Sequence, residues 1–433
     1  MILFAVLAVF LGTLIIGVPV LFSIVLASGL PIIFDPRVGL GQMASVILQQ
    51  MRSFPLVAIP LYILCGRLLK VGGITEDLVY ISRVLIRRVR GSLAHVNVVT
   101  SIFFAGISGS SVADVATIGT VLIPAMKERG YDKNFAATIT AASATIGTII
   151  PPSILMIIYG AIAQTSIAAM FLAGIVPGVL IGAVQMGYAY WYAGRYRVDV
   201  GGAGDGQDED VTRKMVGLAV LKSLFPISIF FLIIVGITSG VFTPTEAAGV
   251  AVIYIFAVQY FLYGKRDLRA YWRECSNAVR DTSVIYLLIA SASFMAWVLT
   301  YYQVMLPIVS LITDLDPSGP MFLVVLALVY VVLGTFMEPA SAMLIVVPLL
   351  APVVTLLELN PTVVGIVTVM SIRVGTITPP YGLSSLMAAR IADTSVVHMM
   401  KYILIFLAFY MAVVFVLIFA QDVILFLPRL LLR

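Results

Sequence analysis

Two six-residue stretches concentrate the chemistry of this sequence: GTIIPP at Gly147–Pro152 and GTITPP at Gly375–Pro380. Each sets a double proline inside a long apolar run. Pro151 and Pro152, like Pro379 and Pro380, must end a helix, because each ring removes an N–H and clashes with the preceding turn. The half-helix before such a break offers carbonyls with partial negative charge, and the half-helix after it offers N–H groups with partial positive charge. Carbonyls suit a hard cation such as Na⁺, and helix N-termini suit an anion. Two further stretches, GISGSSVAD at Gly106–Asp114 and GTFMEPAS at Gly334–Ser341, mix chain-reversing small residues with hydroxyls and a carboxylate. Ser111 and Asp114 have the spacing of a helix-start capping pair, and Pro339 suits a first helical turn. Arg373 lies inside the second broken run, where repeat one has Thr145. It is either a counter-charge for an anionic ligand or a structural partner of Glu338 or Asp114. Glu246, in GVFTPTEAAG, sits where a carboxylate stabilises the positive end of a helix, a structural role. Gln164, Tyr159, Tyr381 and Asn97 are weaker candidates for lining a polar cavity.

The elements that position these residues must be membrane helices. Of 433 residues 61% are hydrophobic and 11% charged, and the mean hydropathy is +1.11. Several runs exceed the roughly 20 apolar residues that cross a bilayer. The expected class is an all-α, polytopic integral membrane protein in contact with lipid. The run from Met1 to Leu30 has no basic n-region or small-residue cleavage site and reads as a retained helix. The net charge of +5 is no nucleic-acid signal, since the bases cluster in short connections between apolar runs. Cys65, Cys275, His95 and His398 are isolated, so no cluster has metal-ligand spacing. No phosphate-cradling loop supports an ATP-driven pump. No paired nucleophile and base supports an enzyme.

Apolar segments cover 2–29, 54–69, 94–126, 134–164, 169–192, 216–240, 244–263, 279–301, 320–356, 361–391 and 396–420, and a hydrophilic stretch, 195–214, divides them. The halves are related. Thr140, Ser143, Gly147, Thr148, Ile149, Pro151 and Pro152 match Thr368, Ser371, Gly375, Thr376, Ile377, Pro379 and Pro380 at an offset of 228 residues. Internal repeats are a signature of secondary transporters. Segment 94–126 is flanked by Arg83, Arg87, Arg88 and Arg90 and by Lys127, Arg129 and Lys133, so both its ends should face the cytoplasm. Segment 320–356 is flanked by acids without bases, so both its ends should face outward. One re-entrant hairpin is expected from each side, which makes the repeats inverted. Stretches 72–90 and 265–277 read as amphipathic surface helices. With a cytoplasmic N-terminus, about nine crossings and two hairpins leave the C-terminus outside.

The expected parts are scaffold helices and an arm at 1–93, then hairpin and broken helix at 94–192, and a cytoplasmic loop at 193–215. The second half repeats the plan, with scaffold and arm at 216–319 and hairpin and broken helix at 320–420, before a tail at 421–433.

HVNVVTSIFFAGISGSSVADVATIGTVLIPAM, ITAASATIGTIIPPSILMIIYG, GVFTPTEAAGVAVIYIF and GTITPPYGLSSLMAARIA resemble the large membrane subunit of tripartite ATP-independent periplasmic (TRAP) transporters. The resemblance runs from about residue 50 to residue 420, with the motifs in the expected order. It implies sodium-driven uptake of an organic acid (a C4-dicarboxylate, sialic acid or sugar acid) by an elevator-type mechanism in the bacterial inner membrane. It also implies a small four-helix membrane subunit and a soluble periplasmic binding protein as partners. Carried over, the first sodium site falls on Ser108, Gly109, Ser110, Ser111, Gly147 and Ile150. The second falls on Gly334, Glu338, Gly375 and Thr378, and Arg373 departs from the family pattern. The anion is expected between them, at Arg373, Ser111, Pro152, Ser153 and Pro380. A stand-alone sodium–dicarboxylate symporter of the same architecture is the alternative.

Overall fold

Backbone that water cannot reach must satisfy its own hydrogen bonds, so apolar runs fold as helices and their breakers set the ends. The computed structural model describes residues 2–198, 225 and 228–432, except 36, 39, 53, 73, 87, 88, 109, 110, 305 and 381. The side chains of 2–4, 7, 40, 43, 50, 54, 70, 74–77, 85, 105–108, 308 and 311 also lie outside the described set. The first half contains α1 (Ile2–Ile15), α2 (Val20–Ile33), α3 (Leu40–Met51), α4 (Ala58–Val71) and α5 (Ile74–Ile86). A helical hairpin follows, α6 (Ser92–Ser108) and α7 (Ser111–Glu128), then a broken helix, α8 (Lys133–Ile146) and α9 (Ile154–Ile162), and α10 (Ile167–Tyr196). The second half begins with α11 (Ser228–Thr238), α12 (Pro244–Ala257), α13 (Leu268–Tyr301) and α14 (Leu306–Leu315). It continues with the hairpin α15 (Gly319–Phe336) and α16 (Pro339–Leu356), the broken helix α17 (Pro361–Gly375) and α18 (Leu383–Ala392), and α19 (Val396–Phe419). Among the described residues, six helices are long and apolar enough to cross a membrane.

Three expectations change. The run 2–29 is not one span, because the chain folds back at Gly17-Val-Pro19, where Gly17 takes a left-handed φ of 85°. Val6 and Phe10 of α1 then share a buried cluster with Ile24 and Ala27 of α2. The stretch 265–277 is not a separate surface helix but, from Leu268, the start of a 34-residue helix. No proline or glycine interrupts 268–301, whereas the equivalent 40–71 carries Pro55 and Pro60 and breaks at a short 3₁₀ turn, Phe54–Val57. The stretch expected as a C-terminal tail, 421–433, forms a helix, α20 (Gln421–Leu431), which buries Ile424, Leu425 and Pro428 and packs on α10. The loop expected at 193–215 lies largely outside the described residues, and α10 itself continues to Tyr196.

Packing joins the halves. Helix α7 lies against both α8 and α18, and α16 lies against both α9 and α17, so each hairpin touches the broken helix of either half. Around them α13 packs on α2, α3, α4 and α16, and α12 packs on α4. The repeat also extends past the double prolines. Ala163–Gln164–Thr165–Ser166 corresponds to Ala392–Asp393–Thr394–Ser395, with Gln164 and Asp393 both left-handed at φ 51° and 53°. There the offset is 229, so the second copy carries one more residue than the first between its double proline and this turn.

Candidate functional site

Both hairpins, the start of α9 at Ile154 and Leu155, and the second break line one cavity of about 810 Å³. Gly147, Pro152, Ser153, Gly334, Gly375, Thr378 and Pro380 are not among its described lining residues. Its polar wall comes from Ser111 at the start of α7, Glu338 before α16, Arg373 at the end of α17, and Thr376 and Ser384 around the second break. The facing wall comes from Ile63 and Arg67 of α4, Asp281 and Leu288 of α13, and the turn between α1 and α2 at Pro19–Leu21. Glu338 is the N-cap of α16, accepting from Ser341 N–H at 3.0 Å. That explains its place beside Pro339, which fills the first helical position where no N–H partner exists.

Arg373 is 6% exposed. Its Nη1 donates to Ser111 Oγ at 2.9 Å, joining the second broken helix to the first hairpin across 262 residues of chain. Its Nε is buried without a hydrogen-bond partner. Glu338, Tyr410 and Asp114 are its electrostatic neighbours. Among the described residues no carboxylate lies within ion-pair distance of it, so the pairing with Glu338 or Asp114 that the sequence left open is not formed. Asp114 is itself buried and engaged elsewhere. At the mouth, Arg67 reaches Glu274 and Asp281 of α13, with Nε at 3.0 Å from Asp281 Oδ2 and Nη1 at 3.0 Å from Glu274 Oε2.

The breaks expose fewer bare carbonyls than their sequence suggests, because their own hydroxyls turn back on them. In the first, Gly147 caps α8, Thr148 Oγ1 donates to the Thr145 carbonyl at 3.0 Å, and Ser153 Oγ donates to the Thr148 carbonyl at 2.6 Å. Ser153 also caps α9, accepting from Met156 N–H at 3.4 Å. In the second, Thr376 and Thr378 donate to the Arg373 and Val374 carbonyls at 2.7 and 2.8 Å, and Ser385 donates to Ile377 at 2.8 Å. Each carbonyl keeps a second lone pair. Gly334 and Gly375 meet backbone to backbone: a Cβ on Gly334 would stand 2.3 Å from the Ile372 oxygen. The Ile150 side chain packs against Gly178 of α10 and is not among the described residues that line the cavity. Pro152 is buried and Pro380 exposed. Both double-proline bonds are cis.

The side chain of Ser108, and all of Gly109, Ser110 and Tyr381, lie outside the described residues. Glu246 closes a reciprocal capping box with Thr243, away from the cavity. Tyr159, Gln164 and Asn97 are spent on structural bonds to the Pro361 carbonyl, the Ala161 carbonyl and Thr140 Oγ1. Sequence reasoning missed Thr376, Ser384, Arg67, Asp281 and the Pro19–Leu21 turn. Glycine and proline at 17 and 19 were the available signal for the last.

A sequence profile described as "Tripartite ATP-independent periplasmic transporter, DctM component" matches residues 7–423. The chain belongs to this family. It is a TRAP transporter large permease, a transport protein rather than an enzyme. It is 34% identical over 426 residues to the sialic acid TRAP transporter permease protein SiaT of Haemophilus influenzae, covering 98% of this chain and 68% of that one. It is also 34% identical over 366 residues to the C4-dicarboxylate TRAP transporter large permease protein DctM of Pseudomonas aeruginosa, covering 84% and 83%. The YdaH transporter of Alcanivorax borkumensis shares the fold, with a TM-score of 0.61 over 89% of each chain at 14% identity.

Proposed function

We propose that this TRAP large permease imports an organic acid coupled to sodium, by an elevator-type movement of the hairpins and broken helices against the remaining helices. The observation that carries the reading is the cavity in which Arg373, Ser111 and Glu338 come together from both repeats. Arg373, which lines the cavity and whose Nε is buried without a hydrogen-bond partner, is the counter-charge proposed for an acid's carboxylate, and the N-termini after Pro152, at Ser153, and after Pro380 add partial positive charge. Sodium is assigned to the second hairpin turn and break, at Gly334, Glu338, Gly375 and Thr378; in the first group carried over from the family, Ser108, Gly109, Ser110, Ser111, Gly147 and Ile150, the Ser111 hydroxyl already accepts from the Arg373 guanidinium. The carbonyl oxygens of the second break, already oriented by threonine and serine, supply hard-cation ligands. Relatives named for sialic acid and C4-dicarboxylate support the substrate class. A small membrane subunit and a periplasmic binding protein are the proposed partners, in the bacterial inner membrane.

The hairpin arms α15 and α16 have 18 residues each, a length that fits either a crossing or a re-entrant arm. Glu338 at their turn lines the same cavity as Arg373, which supports the re-entrant reading. Helices α1 and α2 have 14 residues each, short of a full crossing, so their fold-back starts and ends on one side. With Arg83 and Arg90 kept inside, residue 2 moves to the periplasmic side, which revises the cytoplasmic N-terminus, while the C-terminus stays periplasmic.

Reconstitution into liposomes with the small subunit and the binding protein tests the proposal. Uptake of a panel of labelled organic acids should require an inward sodium gradient. Uptake indifferent to that gradient refutes the coupling, and uptake without the binding protein favours the stand-alone symporter.

A further inference from the structure

Arg373 does something at Ser111 that a ligand anchor alone does not require. A hydroxyl oxygen at the turn of a hairpin is a ligand for a hard cation. Here that oxygen already accepts a hydrogen bond from a guanidinium at 2.9 Å. The guanidinium is buried, has no carboxylate within ion-pair distance among the described residues, and lies in the field of Glu338 and Asp114. It therefore stands where a mobile cation would stand, with acidic groups around it that favour positive charge. The other repeat lacks this feature: Thr145, at the position equivalent to Arg373, turns its hydroxyl back to the Ala142 carbonyl at 2.6 Å. Two unit positive charges about 4 Å apart, at an effective dielectric constant of about 20, oppose each other by roughly a thousandfold in binding. A sodium ion and this guanidinium cannot both occupy Ser111.

We infer that Arg373 is a tethered cation that replaces a co-transported sodium at Ser111. One ion site fewer then accompanies each transport cycle, and the remaining sodium binds at the second break and hairpin, around Gly334, Glu338, Gly375 and Thr378. The inference rests on the sodium-coupled reading above, and it leaves the Nε edge of Arg373 free for substrate.

The test uses the full-length chain purified in detergent, with its melting temperature followed as NaCl replaces choline chloride at constant ionic strength. The dependence of stability on the logarithm of sodium concentration counts the ions bound by the folded state. Arg373→Gln should steepen that dependence about twofold over wild type by opening Ser111 to a second ion. Arg373→Lys should retain the wild-type dependence, and adding Ser111→Ala to Arg373→Gln should return it to wild type. Ser111→Ala alone should leave the sodium response unchanged, which keeps the test decisive if Arg373→Gln does not fold. An unchanged or shallower dependence in Arg373→Gln overturns the tethered cation, as does loss of the response in Ser111→Ala. No sodium response in wild type overturns the sodium reading itself and the inference with it.

Discussion

Replacing Gly334 by alanine tests how the second hairpin is seated on the second break. A Cβ there would come within 2.3 Å of the Ile372 carbonyl oxygen, and one on Gly375 within 2.4 Å of the Gly334 carbonyl carbon. Real contacts of this kind stop near 3.0 Å, so α15 must retreat from α17 by about 0.7 Å. A gap of about 0.5–1 Å forfeits roughly a quarter to a half of each dispersion contact along the face. Overpacked sites lose about 1–3 kcal/mol, and here no rotamer change can relieve the clash because the obstacle is backbone. The expected loss is therefore near the upper end, about 3 kcal/mol. Gly375→Ala alone should cost about as much, and the double variant clearly less than the sum, since one retreat clears both methyl groups. Gly187→Ala on α10 is the control, because an added Cβ there meets nothing within 4 Å. It should be neutral or stabilising by up to about 1 kcal/mol through helix propensity. The assay is thermal unfolding of the purified chain in detergent at a fixed scan rate. If Gly334→Ala melts together with Gly187→Ala, or the two single losses add fully, the close backbone approach is not what seats the hairpin.

Two further outcomes follow from side chains around the cavity. Ser153→Ala removes both the cap of α9 and the bond to the Thr148 carbonyl, and should lower stability by about 1–2 kcal/mol in the same melt; an unchanged melting temperature would mean the break holds its shape without that hydroxyl. Arg67→Ala leaves Glu274 and Asp281 without the cation that joins them, at a cost of about 1 kcal/mol that shrinks in about 1 M choline chloride as screening grows; a loss independent of salt would assign Arg67 to packing.

The features legible in the sequence were those written twice. The double prolines and the glycines at 106 and 334 recur at a constant offset, so the breaks and hairpins could be placed without a structure. The fold-back at Gly17–Pro19 was hidden because one glycine and one proline in an apolar run also describe a mere kink, and only the contact of Val6 and Phe10 with Ile24 and Ala27 separates the two. The continuity of α13 was hidden for the opposite reason. Arg273, Glu274, Arg280 and Asp281 interrupt its hydropathy, yet Arg67 of α4 engages two of them. The partner of Arg373 lies 262 residues away, and no local spacing could name it.

Helix α9 starts two residues after Pro152, whereas α18 starts three residues after Pro380. The first turns of both helices still line the cavity, with Ile154 and Leu155 of α9 and Leu383 and Ser384 of α18. Their starts differ too: Ser153 caps α9 with its hydroxyl, while Gly382 opens α18 with no side-chain cap. A site on a true two-fold axis offers an asymmetric molecule two poses of equal energy, head-first or tail-first. The unlike helix starts, and Arg373 where the first repeat has Thr145, lift that degeneracy, so a molecule with its charge at one end has one preferred polarity along the path.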